Sequence, residues 1–485
     1  MIRYERPKWV EKLDSSGART RDTQRVSLAA HLERPAGRGV TPRAAHTGAA
    51  GGAPCGDLIR ISIALDDGGS VAEAGFDAQG CGVAIAAGSA AVTLVRGLPL
   101  LEAARIGSAE IADELGGLSP AKRHGAELAA DALHRALGSA ARADAQLEPS
   151  AGRRLVALSG GVDSAVAALL CGSRAVCVTL ELWSDPQTDG ERSCCSPQAV
   201  RSARDLAHGL GLPHISLDLR AEFRAGVVEP WLADHAAGLT PNPCARCNGE
   251  VRIDAMLELA QRLGAAELVT GHYARVQDGL LRVAADAHKD QSYSLAALDP
   301  GSLARLRFPL GELRKEEVRE LARRHRLPVA AKPDSQDLCF LAGSGREAFL
   351  ARHGGLGERD GELLDVRGSS IGHHRGAHNY TVGQRRGIGL GGGTPLYVIA
   401  TDADQNTVTV GPRDALATRN VPLRDTVLHR PRFDHVRLRY RQQPLACSRL
   451  RDDVLELDEP AYGVAPGQIA CLMDGELVVG HATIA

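Results

Sequence analysis

Apolar and polar residues along the chain fall into distinct regimes. Residues 1–25 are polar and without period, and are expected to form a loose segment. Residues 26–140 begin with alternation: in DLIRISIALD, Ile59, Ile61 and Ile63 recur at every second position, as one face of a half-buried strand requires. SVAEAGFDA, across the turn residues DDGG, predicts its hairpin partner. The period then lengthens to that of helices in VAIAAGSAAVTLVRG, SAEIADEL and SPAKRHGAELAADALHRAL, with Ser119 and Pro120 as cap and first-turn residue of the last. Residues 141–152 read as a linker by composition.

Residues 153–342 change character again. The apolar runs RRLVALS, AVCVTLELW, HISLDL and AELVTGHYA read as strands. They alternate with the helical stretches SAVAALLCG, SPQAVRSARDLAHGLG and VRIDAMLELAQRLG, and EEVRELARRHRL is a further amphipathic helix. That order predicts an α/β domain with a doubly wound parallel sheet, preceded by the α+β unit of residues 26–140. Residues 343–395 are Gly-rich and basic and are expected to form a small β-hairpin region in the centre of the chain. Residues 396–485 carry short strands such as NTVTVG, FDHVRLRYR and ELVVGHATIA, which predict a β-barrel. A continuous strand through FDHVRLRYR would place Arg437, Arg439 and Arg441 on one face. No internal repeat is present.

Composition narrows the options. A chain of 485 residues is too long for one core, so two to four domains are expected. A net charge of -2 confines any nucleic-acid binding to local basic patches. No apolar run is long enough to span a bilayer, and MIRYERPKWVEKL lacks the apolar core of a signal peptide, so a cytoplasmic location is expected. The 11 cysteines do not suit a disulfide framework in that setting. Cys171 and Cys177 lie in or beside apolar runs, whereas several others sit in loops rich in Gly, Pro and Asp where packing does not explain a thiol.

LVALSGGVDSAVAALL sets a Gly-Gly loop between a buried strand and a helix, where backbone N–H groups and the helix dipole converge on an anion. Asp163 is able to hold Mg²⁺ or to cap the helix. No lysine follows the glycines, so this is not a Walker-A loop. The SGGVDS string resembles the PP-loop ATP pyrophosphatase superfamily. The resemblance implies ATP cleavage between the α and β phosphates, with AMP transferred to a substrate oxygen. It implies ATP contacts along Ala157, Leu158, Ser159, Gly160, Gly161, Val162, Asp163 and Ser164, with Leu180 beside the adenine and Gly271 admitting a close backbone approach.

TPNPCARCNGE, from Thr240, holds Cys244 and Cys247, and DSQDLCFL adds Cys339. Three cysteines with His272 or His235 would satisfy a structural zinc site; three thiols with an open position suit chemistry better. TPNPCARCN, TGHYAR, HKDQSYSLAAL, FPLGELRKEEVRELA, KPDSQDLCF and HNYTVGQRRGIGLGGG occur in order, and from Arg153 to Ala485 the chain resembles the bacterial tRNA 2-thiouridylases. The resemblance implies conversion of anticodon uridine 34 to 2-thiouridine, with Cys247 as nucleophile and Cys339 as the persulfide carrier. It also implies tRNA contacts by His272, Lys289, Asp290, Gln291, Arg439, Tyr440 and Gln468, and a cysteine desulfurase or other sulfur donor as partner. Cys244 stands where some members have Asp, and matches a branch in which Cys244, Cys247 and Cys339 would hold a [4Fe-4S] cluster. Arg246 is a candidate for lowering the thiolate pKa. The rivals are another PP-loop ligase making an amide or guanidinium product, and a non-enzymatic iron–sulfur or zinc carrier with a degenerate nucleotide fold.

GAPCGDLIRISIAL, GFDAQGCGVAIAAGSA and SPAKRHGAELAADALHRAL resemble the IscU/NifU-type iron–sulfur scaffolds. Cys55, Asp57 and Cys81 match that family's ligands, and Gly125 stands where its third cysteine follows a histidine. His124 would complete a four-ligand set for zinc or a labile cluster. A linker of roughly a dozen residues would then hold this unit at millimolar effective concentration, to deliver sulfur or iron–sulfur units to the cysteines downstream.

Overall fold

The computed structural model describes residues 27–51, 56–185, 196–334, 338–341, 343–390 and 394–485. Four sheets organise them. The first is antiparallel, β1 (His46–Gly51), β2 (Leu58–Leu65) and β3 (Val71–Gln79) in that order. Ile59, Ile61 and Ile63 are fully buried, as their alternation demands, beneath helices Gly82–Val95 and Arg123–Ala143. β1 carried no hydrophobic signal because HTGAAG is small and polar. A Cβ at Gly48 would overlap the backbone carbonyl of Ala132, so the long helix can lie directly on this strand only where a side chain is missing.

The second sheet is parallel throughout, with β4 (Arg154–Ala157), β5 (Ala175–Glu181), β6 (His214–Asp218), β7 (Glu267–Val269) and β10 (Leu306–Arg307) in the order β10-β7-β4-β5-β6. Every residue of β5 is buried, which is why AVCVTLE is apolar without alternation. The order reverses direction around β4, so the loop after β4 opens at the crevice where such sheets take ligands.

Between these two units lies a fixed contact, not a free tether. Helix Arg123–Ala143 takes in the first three residues of the expected linker and packs across β6, and a Cβ at Gly138 would overlap the Ser216 carbonyl. Leu147 N–H then donates to the Arg262 carbonyl (2.8 Å) and Ser150 N–H to that of Gly264 (3.0 Å), fixing the rest of the stretch. Arg135 makes a two-pronged ion pair with Glu181 (2.7 and 2.6 Å), while Arg204, wholly buried, donates to Asp131 at 2.7 Å. One hydrophobic core therefore runs through both units.

The third sheet, β12-β11-β14-β13, comprises β11 (Gly361–Leu364), β12 (Ser370–His374), β13 (Tyr397–Asp402) and β14 (Thr407–Gly411). The fourth contains a six-stranded barrel of β15 (Ala417–Leu428), β16 (His435–Arg437), β17 (Leu445–Arg451), β18 (Val454–Tyr462), β19 (Ile469–Asp474) and β20 (Leu477–Ile484), closed by β15 against β20. The hairpin β8 (Arg275–Gln277) and β9 (Leu280–Arg282) extends it through β20, fastening the barrel to the parallel-sheet unit. The expected strand through FDHVRLRYR stops at Arg437. Arg439 falls in a turn and Arg441 adopts φ +64°, so the three arginines share no strand face. No helix among the described residues is long and apolar enough to cross a membrane.

Candidate functional site

Strand β4 ends at Ala157, and the helix Val162–Cys171 begins four residues after Leu158. Gly160 takes φ +70°, a conformation that costs an L side chain strain, and Gly161 caps the helix. Ser164 ties the loop to itself: its Oγ accepts from Ser159 N–H and donates to the Gly161 carbonyl, both at 3.1 Å. The free N–H groups of the helix start face a cavity of about 560 Å³. Ala157, Leu158, Ser159, Gly161, Val162, Asp163, Ser164, Leu180 and Gly271 all line it.

Gly271 is needed by the protein itself. A Cβ there would lie 2.8 Å from Ser164 N and 2.9 Å from the Asp163 carbonyl carbon, both backbone atoms at the helix start. Gly271→Ala is expected to push the loop out of shape, with a loss of about 1–3 kcal/mol in stability and a raised Kd for ATP, both measurable by denaturation and titration calorimetry. Unchanged ATP affinity would show that the contact is dispensable.

Asp163 does not stand alone. Lys315 Nζ donates to both its oxygens (2.7 and 2.8 Å), and Tyr273 donates its hydroxyl at 2.9 Å. Burial, then the neighbouring Asp163 charge, raises the Tyr273 phenol far above its ordinary range, so it stays a donor. Lys315 also reaches Asp334 (2.9 Å), which Lys289 (2.7 Å) and Arg319 (2.8 Å) hold as well. Burial pushes the Asp334 carboxyl up, but hydrogen bonds and charge from Lys289 and Lys315 outweigh it and bring the group to about 2. Sequence reading missed Lys315, Tyr273 and Asp334. The available signal was Lys315 itself, a cation in the first turn of a helix, where the dipole disfavours it.

The same cavity takes Cys244, Cys247 and Cys339 into its wall. TPNPCARCN, expected as a loop, opens a helix. Asn242 Oδ1 accepts from Ala245 N–H (3.2 Å), Pro243 leads the turn Pro243–Arg246, and a π-helical turn follows over Cys247–Arg252. Cys247 is buried, Cys339 half-buried, and Cys244 open to the cavity. The protein packed around Cys244 desolvates its thiol and pushes it up, with Arg252 pulling the other way. Arg252, which lines the cavity, is therefore the cation that acts on Cys244. Arg246, the sequence candidate, pairs with Glu250 (3.4 Å) and lines a separate cavity with Trp231 and Asp234.

Of the residues expected at the tRNA, His272, Lys289, Gln291 and Tyr440 line the cavity. His272 is hydrogen-bonded to Thr270 Oγ1 (2.8 Å), and burial, reinforced by Arg252, lowers it to about 3, so it is neutral. Asp290, by contrast, is drawn inward: its carboxylate accepts from Arg437 (2.6 Å), Ser292 Oγ (2.7 Å) and Ala284 N–H (2.8 Å), leaving no surface for RNA. Arg439 turns to the Val382 carbonyl (2.5 Å). Gln468 donates to the Thr240 and Pro241 carbonyls (2.7 and 3.3 Å), so the barrel holds the segment that presents the cysteines.

Metal-ligand sets are not gathered. Among the described residues no three of His, Cys, Asp and Glu stand together as a metal-binding group. Cys244, Cys247 and Cys339 thus share a wall without forming a cluster ligand set in this arrangement. His235 packs on Trp231 (centroids 4.2 Å) with Nδ1 on the Trp231 carbonyl, and supplies no zinc ligand to the cavity. In the N-terminal unit, Cys55 lies outside the described residues. Asp57 accepts from Cys81 N–H (2.9 Å) and Cys81 Sγ (3.4 Å), and Gly80 leaves room for that carboxylate. His124 is the second residue of the long helix, and at Gly125 a Cβ would come within 2.9 Å of the Val83 methyl, so the place of the third cysteine is closed by packing.

Comparisons agree with this layout. Residues 24–144 match the NifU-like N terminal domain, 153–343 the tRNA methyl transferase HUP domain, 347–412 the tRNA methyl transferase PRC-barrel domain and 421–484 the aminomethyltransferase beta-barrel domain. The bifunctional protein NifU/MnmA of Rubrobacter xylanophilus is 41% identical over 478 residues, covering 94% of this chain and 97% of that protein. The tRNA-specific 2-thiouridylases MnmA of Thermobifida fusca (353 residues; 69% of this chain, 95% of that one) and Acidithiobacillus ferrooxidans (352 residues; 68% and 98%) are each 44% identical. With a relative of the same two-part make-up matched over nearly the whole chain, the chain belongs to the NifU/MnmA family of tRNA-specific 2-thiouridylases that carry a NifU-like domain in front.

Proposed function

We propose that the chain is a tRNA-uridine 2-sulfurtransferase that converts uridine 34 to 2-thiouridine and consumes ATP to AMP and diphosphate. The observation that carries this reading is a single cavity with an anion-binding loop at one end and three cysteines in its wall. ATP lies along Ala157–Ser164 with its adenine by Leu180; Asp163, held by Lys315 and Tyr273, is the carboxylate that would meet a Mg²⁺ brought with the phosphates. The C2 oxygen of the uracil attacks the α phosphorus and becomes a phosphate ester, a far better leaving group. Cys339 carries the incoming sulfur as a persulfide. The Cys247 thiolate attacks Cys339 Sγ, forming the Cys247–Cys339 disulfide and expelling hydrosulfide, which displaces AMP from C2. A cellular dithiol then reduces the disulfide.

The three cysteines are also the right residue types for a [4Fe-4S] cluster, but they are not assembled as ligands here, and no step is routed through one. tRNA enters against His272, Lys289, Gln291 and Tyr440, whose ring is exposed at the cavity mouth. A cysteine desulfurase or another donor loads Cys339. The NifU-like unit is a second source, with Cys55, Asp57, Cys81 and His124 as its ligands for iron–sulfur or zinc.

Two measurements test this. Anticodon nucleosides from a deletion strain should lose 2-thiouridine and regain it on complementation, and the purified protein should release AMP and diphosphate in step with thiolation. Turnover of ATP with a sulfur-free product would favour another PP-loop ligase, and no turnover at all would favour a carrier. Changing Cys55 and Cys81 to Ser should lower thiolation in cells without altering ATP affinity; unchanged thiolation would remove the donor role of the first unit.

A further inference from the structure

The loop Ser159–Ser164 contains no lysine, yet a lysine reaches it. Lys332 Nζ donates to the Gly160 carbonyl at 2.9 Å from a position 172 residues downstream. We propose that Lys332 is the cation that receives the polyphosphate of the bound nucleotide and stabilises diphosphate as it departs. This rests on the adenylating reading of the site. Three observations single Lys332 out. It lines the cavity, whereas its neighbour Lys315 is buried behind the loop with Nζ committed to two oxygens of Asp163 and one of Asp334. An ammonium has three donors, so Lys315 has none to spare and acts as a positioning residue for the two carboxylates. Lys289, also on the cavity, is paired with Asp334 at 2.7 Å. Lys332, by contrast, meets a neutral carbonyl and, among the described residues, makes no ion pair, so it has further donors to offer.

The chemistry needs such a group. As the uracil C2 oxygen attacks, the bond between the α phosphorus and the bridging oxygen breaks, and its electron pair stays on diphosphate; the uracil N3 proton passes to solvent. Negative charge therefore grows on the phosphates farthest from the adenosine, where the backbone amides of the loop are helped by a fixed cation. A Walker-A loop supplies that lysine from within its own sequence. Here the fold brings it from the stretch that leads to Cys339.

Inorganic diphosphate and AMP, each titrated against the full-length wild-type protein and the variants Lys332→Gln and Lys332→Arg, separate the roles. The Gln variant should bind diphosphate roughly ten- to a hundredfold more weakly, as expected for a lost charge-assisted hydrogen bond. Arg should restore most of it, and AMP affinity should stay at the wild-type value. Unchanged diphosphate binding would overturn the assignment. So would a parallel loss of AMP binding, since that would mark a collapsed loop. The diphosphate loss in the Gln variant together with a wild-type protein that thiolates no tRNA would sink the sulfur-transfer reading while the cation assignment stood.

Discussion

Cys339→Ser should abolish thiolation, by more than about a thousandfold, because a hydroxyl cannot carry a persulfide and nothing else in the chemistry replaces it. ATP affinity should be untouched, since Cys339 contributes to the cavity wall and not to the loop. AMP and diphosphate formation should continue in the first turnover, so adenylated tRNA accumulates. Cys247→Ser should be as inactive, but with a persulfide retained on Cys339 and detectable by mass spectrometry of the trapped protein. Product above about a tenth of the wild-type rate in either variant would be incompatible with thiol exchange between these two residues.

Asp131→Ala should be the most damaging substitution away from the cavity. Asp131 is the charge partner of Arg204, whose side chain is 1% exposed, and it also pairs with Arg201 at 2.7 Å. Removing one member of a buried pair leaves an uncompensated charge, at about 3–5 kcal/mol. Chemical denaturation should show that loss, and limited proteolysis should show the first unit released from the second. Asp131→Leu combined with Arg204→Met should recover much of the stability, because an apolar pair of similar bulk has no charge to desolvate. A single variant as stable as wild type would mean that water reaches Arg204 at this junction.

The fold was readable where burial leaves a one-sided or continuous apolar record. The all-buried β5 and the alternating β2 announced themselves. β10, two residues long, and β1, built of His, Thr, Gly and Ala, could not: the one is too short to show a period, and the other is placed by close backbone approach at its glycines. β15 was hidden differently: only Val421 and Leu423 of its 12 residues are buried, so it reads as polar. At the site, SGGVDS and the cysteine pair carried their chemistry in local spacing. Lys315, Tyr273 and Lys332 did not, since they reach the loop from 152, 110 and 172 residues away. Arg437 and Asp290 read as surface groups singly and became internal only as a pair.

Strand β6 is the last in its sheet, and the long N-terminal helix lies across it, with His214 N–H donating to the Ala104 carbonyl at 2.9 Å. A shortened gene product starting at Arg153 would leave that flank naked, with Arg204 facing water and an open strand margin of unpaired amides. Such a product should associate with copies of itself at concentrations where the whole chain is monodisperse, visible as a shifted sedimentation profile. Point substitution in the leading unit, unlike its removal, would leave that flank covered.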